Sequence, residues 1–212
     1  MLAEITVSTE LSRLGDSGAA PNFVKVRDVF LTKGNYPPHL LDLWDDYDQQ
    51  KESENDRPDG DLLPPDQLFV AIIFGNGGSD LEGKELHNAV KALSIFQQVV
   101  HALAGTCSHV LSRKRSSPVS SSPFSVAEAS LSFEHRDLHW GNILVGETDE
   151  DVFSYKIGDN IFEVKTEKTS ATVIDFSLSR LAISNAGVIF NDLSKDPALF
   201  KAEGDYQFDI YR

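Results

Sequence analysis

Apolar and polar residues follow different periods along the chain, and the periods change at clusters of Gly, Pro and Ser. In "AEITVSTELSRL", Ile5, Val7, Leu11 and Leu14 fall on or near one face of a helix that Gly15 ends. "NFVKVRDVFLT" carries Phe23, Val24, Val26 and Val29 and predicts a strand. "YPPHLLDLWDDYDQQ" predicts a short amphipathic helix with proline near its start and Leu40, Leu41, Leu43, Trp44 and Tyr47 along it. "KESENDRPDGDLLPPD" is polar and rich in breakers, a surface loop. The apolar run in "QLFVAIIFGNGGSDL" ends in glycines, which predicts a buried strand leading into a flexible connector. "GKELHNAVKALSIFQQVVHALAG" predicts a helix whose buried stripe is Leu86, Val90, Leu93, Phe96, Val100 and Leu103.

The second half is less regular. "TCSHVLSRKRSSPVSSSPFS" combines Ser, Pro and basic residues and is expected to be disordered. Helical pattern resumes at "VAEASLSF". "YKIGDNIFEV" predicts a hairpin turning at Gly158-Asp159-Asn160, and "ATVIDFSLSRL" a strand that ends in a polar turn. "GDYQFDIYR" looks like the middle of a helix. There is no internal repeat. Strands and helices do not alternate regularly, which argues against a doubly wound sheet.

Composition adds bounds. The chain has 212 residues, 41 % hydrophobic and 25 % charged, enough for one large domain or two small ones with a true core. No window approaches the roughly 18 apolar residues of a membrane span. The start lacks a signal-peptide pattern, and the single Cys107 excludes an internal disulfide. These features read as an intracellular protein with no membrane partner. The net charge of −14 disfavours direct nucleic-acid binding and suits a basic partner, although acidity also serves solubility.

One stretch holds more polar chemistry than its apolar flanks explain: "FEHRDLHWGNILV", residues 133–145. It fits H-R-D-x-x-x-x-N, with Asn142 five residues after Asp137. In phosphoryl transfer a carboxylate such as Asp137 takes the proton of the attacking hydroxyl, and an oxygen ligand such as Asn142 helps hold Mg²⁺. Arg136 would set a fixed positive charge beside the base. A second metal ligand is expected at a strand end, and Asp175 in "VIDFSLSRL" supplies it, within Asp175-Phe176-Ser177 where kinases carry D-F-G. The plainer reading of Asp137 and Asn142 is a hydrogen-bonded turn, and of His139 and Trp140 loop packing. "GNGG" lacks the spacing of a phosphate loop, so a hinge is expected there.

"VAEASLSFEHRDLHWGNILV", "NDRPD", "GGSDLE" and "GDYQFDIYR" together resemble the haspin family, atypical eukaryotic protein kinases that phosphorylate a threonine of a histone tail. The similarity runs, with gaps, over nearly the whole chain. His139-Trp140-Gly141 inside the loop and "GDYQFDIYR" in place of an A-P-E segment are its most specific parts. The resemblance implies an α+β, protein-kinase-like fold. Residues 1–74 would be part of an N-terminal lobe, 75–80 the hinge, and 81–212 a mainly helical C-terminal lobe. It implies ATP and Mg²⁺ as cofactors, with Asp137 as base and Asn142 and Asp175 on the metal. Phe74 would be the gatekeeper, and Gly75, Asn76, Gly77 and Gly78 the hinge against adenine. Asp80 would lie toward the ribose, and Glu4 would be the helix glutamate that pairs with the ATP-binding lysine. His139, Asp192 and Asp196 would hold a basic histone-tail peptide. The implied setting is chromatin reached through the histone, in the nucleus or otherwise the cytoplasm.

The departures are specific. The family's Gly-rich loop and lysine would precede Glu4 and further helices would follow Arg212, so the chain is expected to be an incomplete kinase domain. An acidic family position near 198 is Ala198 here. Residues 105–125 have no family counterpart and are expected to loop out of a helix, or to be an error of gene prediction. Two alternatives remain at this stage: a catalytically incompetent form acting as a pseudokinase or chromatin-binding module, and a small-molecule kinase of related fold. "GDYQFDIYR" argues against the second.

Overall fold

The computed structural model describes residues 2–53, 55–59, 62–115, 133–157, 160–183 and 187–195, with the backbone alone at 105–115. In chain order, the first elements are α1 (Leu2–Asp16), β1 (Val26–Lys33), α2 (Pro38–Lys51), β2 (Leu68–Phe74), β3 (Ser79–Asp80) and α3 (Ala89–Arg115). They are followed by β4 (Phe133–Glu134), β5 (Ile143–Glu147), β6 (Val152–Ile157), β7 (Asn160–Lys165), β8 (Thr169–Val173), β9 (Arg180–Ile183) and β10 (Gly187–Phe190). The architecture is mixed α and β, with small sheets ordered β1-β2, β10-β9-β4, β3-β5-β8 and β6-β7. No helix among the described residues is long and apolar enough to cross a membrane.

Two compact units form. Arg27–Ile73 is the smaller, and the remaining described residues make the larger. In the smaller unit α2 starts, as expected, just after Pro37 and ends at Glu52 in the left-handed region. It has no fully buried residue. Its inner face is held by Arg57 of "NDRPD", which grips both carboxylate oxygens of Asp45 at 2.7 and 2.9 Å and reaches Asp59 at 3.1 Å. The strand expected to be buried, β2, is half-buried to exposed, because it has only β1 beside it among the described residues.

The larger unit is organised by β8. Its even-numbered residues face β5, with Leu144 opposite Thr172 and Gly146 opposite Ser170. In an antiparallel ladder the odd-numbered N–H and C=O groups then point to the other side and need partners there. Two side-chain amides supply them. Gln98 Oε1 accepts from Ala171 N at 2.8 Å, and its Nε2 donates to Thr169 O at 2.9 Å. Asn22 Nδ2 donates to Ala171 O at 2.7 Å, while Val173 N bonds Asn22 O and Val24 N bonds Val173 O. The Tyr155 hydroxyl, fully buried on β6, donates to Asn22 Oδ1, and burial raises its pKa. Val7, Leu11 and Leu14 of α1 close the core with Phe23, Val145, Val173 and Phe176.

This network decides which face of α3 is inside, and it is not the predicted one. Ser94, Ile95, Gln98, Val99 and Ala102 are buried, whereas Val90, Leu93, Phe96 and Val100 are exposed. The reason is that the polar Ser94 and Gln98 satisfy strand backbone, Ser94 Oγ donating to Lys165 O at 2.6 Å. α3 also runs through Arg115, into the stretch expected to be disordered, since the first proline there is Pro118. Residues 116–125, most of "VAEASLSF", the turn residues Gly158 and Asp159, and "GDYQFDIYR" lie outside the described residues. Phe133, expected at a helix end, opens β4. The hairpin pairing is as expected, with Ile157 opposite Asn160 and Val152 opposite Lys165.

Asn22→Ala would strand Ala171 O and the Tyr155 hydroxyl in the core and should cost about 2–4 kcal/mol, with Tyr155→Phe losing about 1–2 kcal/mol. Urea unfolding of the two variants beside the parent checks the size and the order of the losses.

Candidate active site on the loop between β4 and β5

The loop starts from a buried ring. His135 is 6 % exposed and packs among Phe133, Phe176 and, through them, Phe23. Its Nε2 lies 3.0 Å from Ile174 O, and its Nδ1 takes the Asp137 N–H at 3.4 Å. A carbonyl only accepts, so Nε2 carries the proton and the ring is neutral. Burial holds its pKa below the ordinary imidazole value. The ring thereby ties the residue before Asp175 to the backbone of Asp137.

Arg136 takes a left-handed backbone, φ 69°, uncommon for a side chain of its size. Its guanidinium does not stand as a lone charge beside Asp137. Nε pairs with Glu134 Oε2 at 2.9 Å, and Cζ sits 6.0 Å over the Phe190 ring. Asp137 is half-buried. The next residues form a 3₁₀ turn, Trp140–Asn142, that His139 caps by accepting from Gly141 N at 3.1 Å. Asn142 is buried, and its Nδ2 donates to Asp137 O at 2.9 Å. Nδ2 also lies 3.1 Å from His139 Nε2. A neutral imidazole has one nitrogen lone pair, so the ring accepts from Gly141 or from Asn142, not both. Either way Asn142 presents Oδ1 as its free ligand atom.

The two proposed metal ligands come from adjacent strand ends. β5 leaves Asn142 and pairs with β8, Ile143 opposite Val173, and Ile174 N bonds Asn142 O at 3.0 Å. Asp175 follows at once, exposed and with φ 59°. Its Oδ1 accepts from Ser177 N at 3.1 Å and Ser177 Oγ at 2.7 Å, which leaves Oδ2 for a cation. Among the described residues no group of three or more His, Cys, Asp or Glu gathers as a metal site. An amide oxygen and a carboxylate on neighbouring strand ends fit Mg²⁺, which takes few protein ligands and completes its shell with water and phosphate.

In the glycine segment, expected to be a flexible connector, two glycines lie close against the neighbouring strand. Gly75 N bonds Lys25 O at 2.7 Å, and Gly78 N bonds Asn76 Oδ1 at 2.9 Å. A Cβ on Gly78, φ 101°, would fall 2.3 Å from Val145 O, and one on Gly77 would meet Leu144 and Thr172. β3 then pairs with β5, Asp80 opposite Leu144, and Asp80 Oδ1 accepts from Gly83 N. Residues 77–80 thus run beside β5, the strand that follows Asn142. Phe74, at the end of β2, is exposed.

Glu4 lies half-buried on α1, and no cation pairs with it among the described residues. Asp192 is exposed, its carboxyl held below the usual range mainly by the Ser194 hydroxyl at 2.6 Å. Asn191 Nδ2 donates to Ser177 O at 2.9 Å, which brings the start of that segment to the Asp175 turn. Asp196 lies outside the described residues. The sequence pattern assigned no role of their own to His135, Ser177 or Glu134. The one signal for Glu134 was a carboxylate directly beside the aromatic Phe133 and two residues before Arg136.

A model of the haspin like kinase domain matches residues 1–108 and 121–212. This chain belongs to the haspin kinase family. It is 40 % identical to the serine/threonine-protein kinase haspin of Bos taurus over 216 aligned residues, covering all of this chain and 25 % of that protein. It is 39 % identical to the haspin of Mus musculus, covering all of this chain and 26 % of that one. Against the haspin homolog of Drosophila melanogaster it is 35 % identical, covering all of this chain and 34 % of the fly protein. The chain therefore spans about a quarter to a third of these haspins. The stretch unmatched by the family model, 109–120, falls within the segment for which the sequence found no haspin counterpart.

The neutral, buried His135 sets a pH dependence. The unfolded chain binds more protons than the folded one between the lowered pKa and the ordinary value of 6.5, so stability rises with pH across that window. As pH falls below about 6.5 stability should drop, and the drop should be smaller in His135→Gln. Chemical unfolding of both proteins from pH 7.5 to 5 reads the difference.

Proposed function

We propose that this chain carries the catalytic part of a haspin-type serine/threonine kinase, which moves the γ-phosphoryl group of ATP to a threonine hydroxyl on a basic histone-tail peptide. The observation that carries the reading is the placement of Asp137, Asn142 and Asp175 on one loop and two paired strand ends, with His135 joining Asp137 N–H to the residue before Asp175 and Asn142 bonded to Asp137 O and to Ile174 N. In this reading the fold is protein-kinase-like, with a C-terminal lobe, part of an N-terminal lobe and a hinge at 75–80.

Asp137 accepts the proton of the attacking hydroxyl. Asn142, through its Oδ1, and Asp175 hold Mg²⁺, which when bound offsets charge on the ATP phosphates. Phe74 and Gly75 to Gly78 line the adenine side, Asp80 lies toward the ribose, and Glu4 serves to hold the ATP-binding lysine. His139 with Asp192 and Asp196 engages the peptide, drawing on the chain's net charge of −14. Work on chromatin in the nucleus follows from that substrate.

Phosphotransfer by the natural protein to a histone-tail peptide is the direct test. Asp137→Asn should lower kcat by about two to four orders of magnitude with ATP affinity unchanged within about twofold, because the base contacts the hydroxyl and not the nucleotide. Asp175→Asn should weaken Mg²⁺–ATP binding as well. A fully active Asp137→Asn would remove the role of the base. Peptide affinity should weaken as salt rises, and a preference for acidic peptides would overturn the substrate reading.

A further inference from the structure

The segment around Arg136 contains a charge arrangement that the roles above do not use. Glu134 stands in β4 opposite Arg180 in β9. Its two oxygens are divided between two guanidinium groups: Oε2 with Arg136 Nε at 2.9 Å, and Oε1 with Arg180 Nη1 at 3.2 Å. Arg136 at the same time lies over Phe190 of β10. Strands β4 and β10 therefore hold the side chain that immediately precedes Asp137, and β9 holds the carboxylate that it pairs with.

The backbone explains why this matters. Between buried His135 and Asp137 the chain turns through a left-handed residue that is neither Gly nor Asn. Such a conformation persists only when its surroundings enforce it. The Asp137 N–H has a long bond, 3.4 Å, to His135, which restrains it weakly. The flanking peptide oxygens are held by Ser179 Oγ, which donates to His135 O at 3.0 Å, and by Asn142 Nδ2 on Asp137 O, and the side chain of the left-handed residue itself is held by its ion pair to a carboxylate two residues earlier, on a strand fixed by its own cross-strand partner. An isolated surface ion pair contributes little. This one is only a quarter to a third exposed, with side-chain values of 23, 24 and 36 % for Arg180, Arg136 and Glu134, and both of its oxygens are engaged.

We propose that Glu134 is a positioning residue: by clamping Arg136 and Arg180 it holds the left-handed turn that aims Asp137. The proposal rests on the reading of Asp137 as the base, and its test has an arm independent of that reading. Glu134→Gln keeps the shape and removes the charge. In the natural protein it should lower kcat about tenfold while KM for ATP and for peptide stay within about twofold. Amide hydrogen exchange across residues 135–142 should quicken about tenfold, with the melting temperature nearly unchanged. Glu134→Asp, too short to reach both guanidinium groups, should fall between the two. In an Arg136→Gly background, where glycine takes the turn freely, adding Glu134→Gln should change kcat and exchange by less than about twofold.

Unchanged kcat and exchange in Glu134→Gln would overturn the proposal. So would a rise in peptide KM with kcat intact, since Glu134 would then bind substrate. If the parent protein transfers no phosphoryl group, the kinase reading fails and the exchange arm alone decides: faster exchange in Glu134→Gln upholds the clamp, and identical exchange removes it.

Discussion

The outer edge of β8 is the constraint on which the larger unit depends. A buried strand needs hydrogen bonds on both sides, and among the described residues β8 pairs with a named strand, β5, on one side only. The other side is closed by Gln98, Asn22 and the backbone of residues 22–24. These groups come from two distant places in the chain, and Tyr155 adds a third. Gln98 fixes the rotation of α3, Asn22 fixes the segment leaving α1, and Tyr155 brings the β6–β7 hairpin onto the same group. Leaving any of these amides unpaired in the interior would cost more than the bond itself contributes. The register of β8 then fixes Asp175 at its end and, through β5, Asn142 at the start of the neighbouring strand.

The candidate site inherits that rigidity. Its loop is joined to β8 through His135 and Ile174, to itself through Asn142 and Asp137, and to a second sheet through Glu134 and Arg180. The left-handed residues Arg136 and Asp175 lie just before and within the two chemical positions. Backbone in that region on side-chain-bearing residues marks places where the fold holds a direction that the local chain would not choose.

Much of the site was legible in the sequence because its signals are local. The spacing from Asp137 to Asn142, the apolar approach to Asp175 and the glycines after Phe74 can each be read without tertiary knowledge. What was not legible depends on long-range pairing. Gln98 reads as a solvent-facing residue until β8 is seen to need it, so the buried face of α3 was assigned to the apolar stripe at Val90, Leu93, Phe96 and Val100. Two-residue strands such as β3 and β4 carry no period, and the sheet that positions Arg136 therefore left no pattern. The glycines at 77 and 78 looked like freedom of movement, when their lack of a side chain serves close packing instead.

That close packing has a consequence for how residues 77 and 78 can vary. A side chain at Gly78 would enter the carbonyl of Val145, and one at Gly77 would push against Leu144 and Thr172. Gly78 is closed to substitution by the backbone of β5, whereas at Gly77 the obstacles are the side chains of Leu144 and Thr172. A side chain at Gly78 is therefore admitted only by moving the backbone of Val145 and Gly146, three residues along the strand from Asn142.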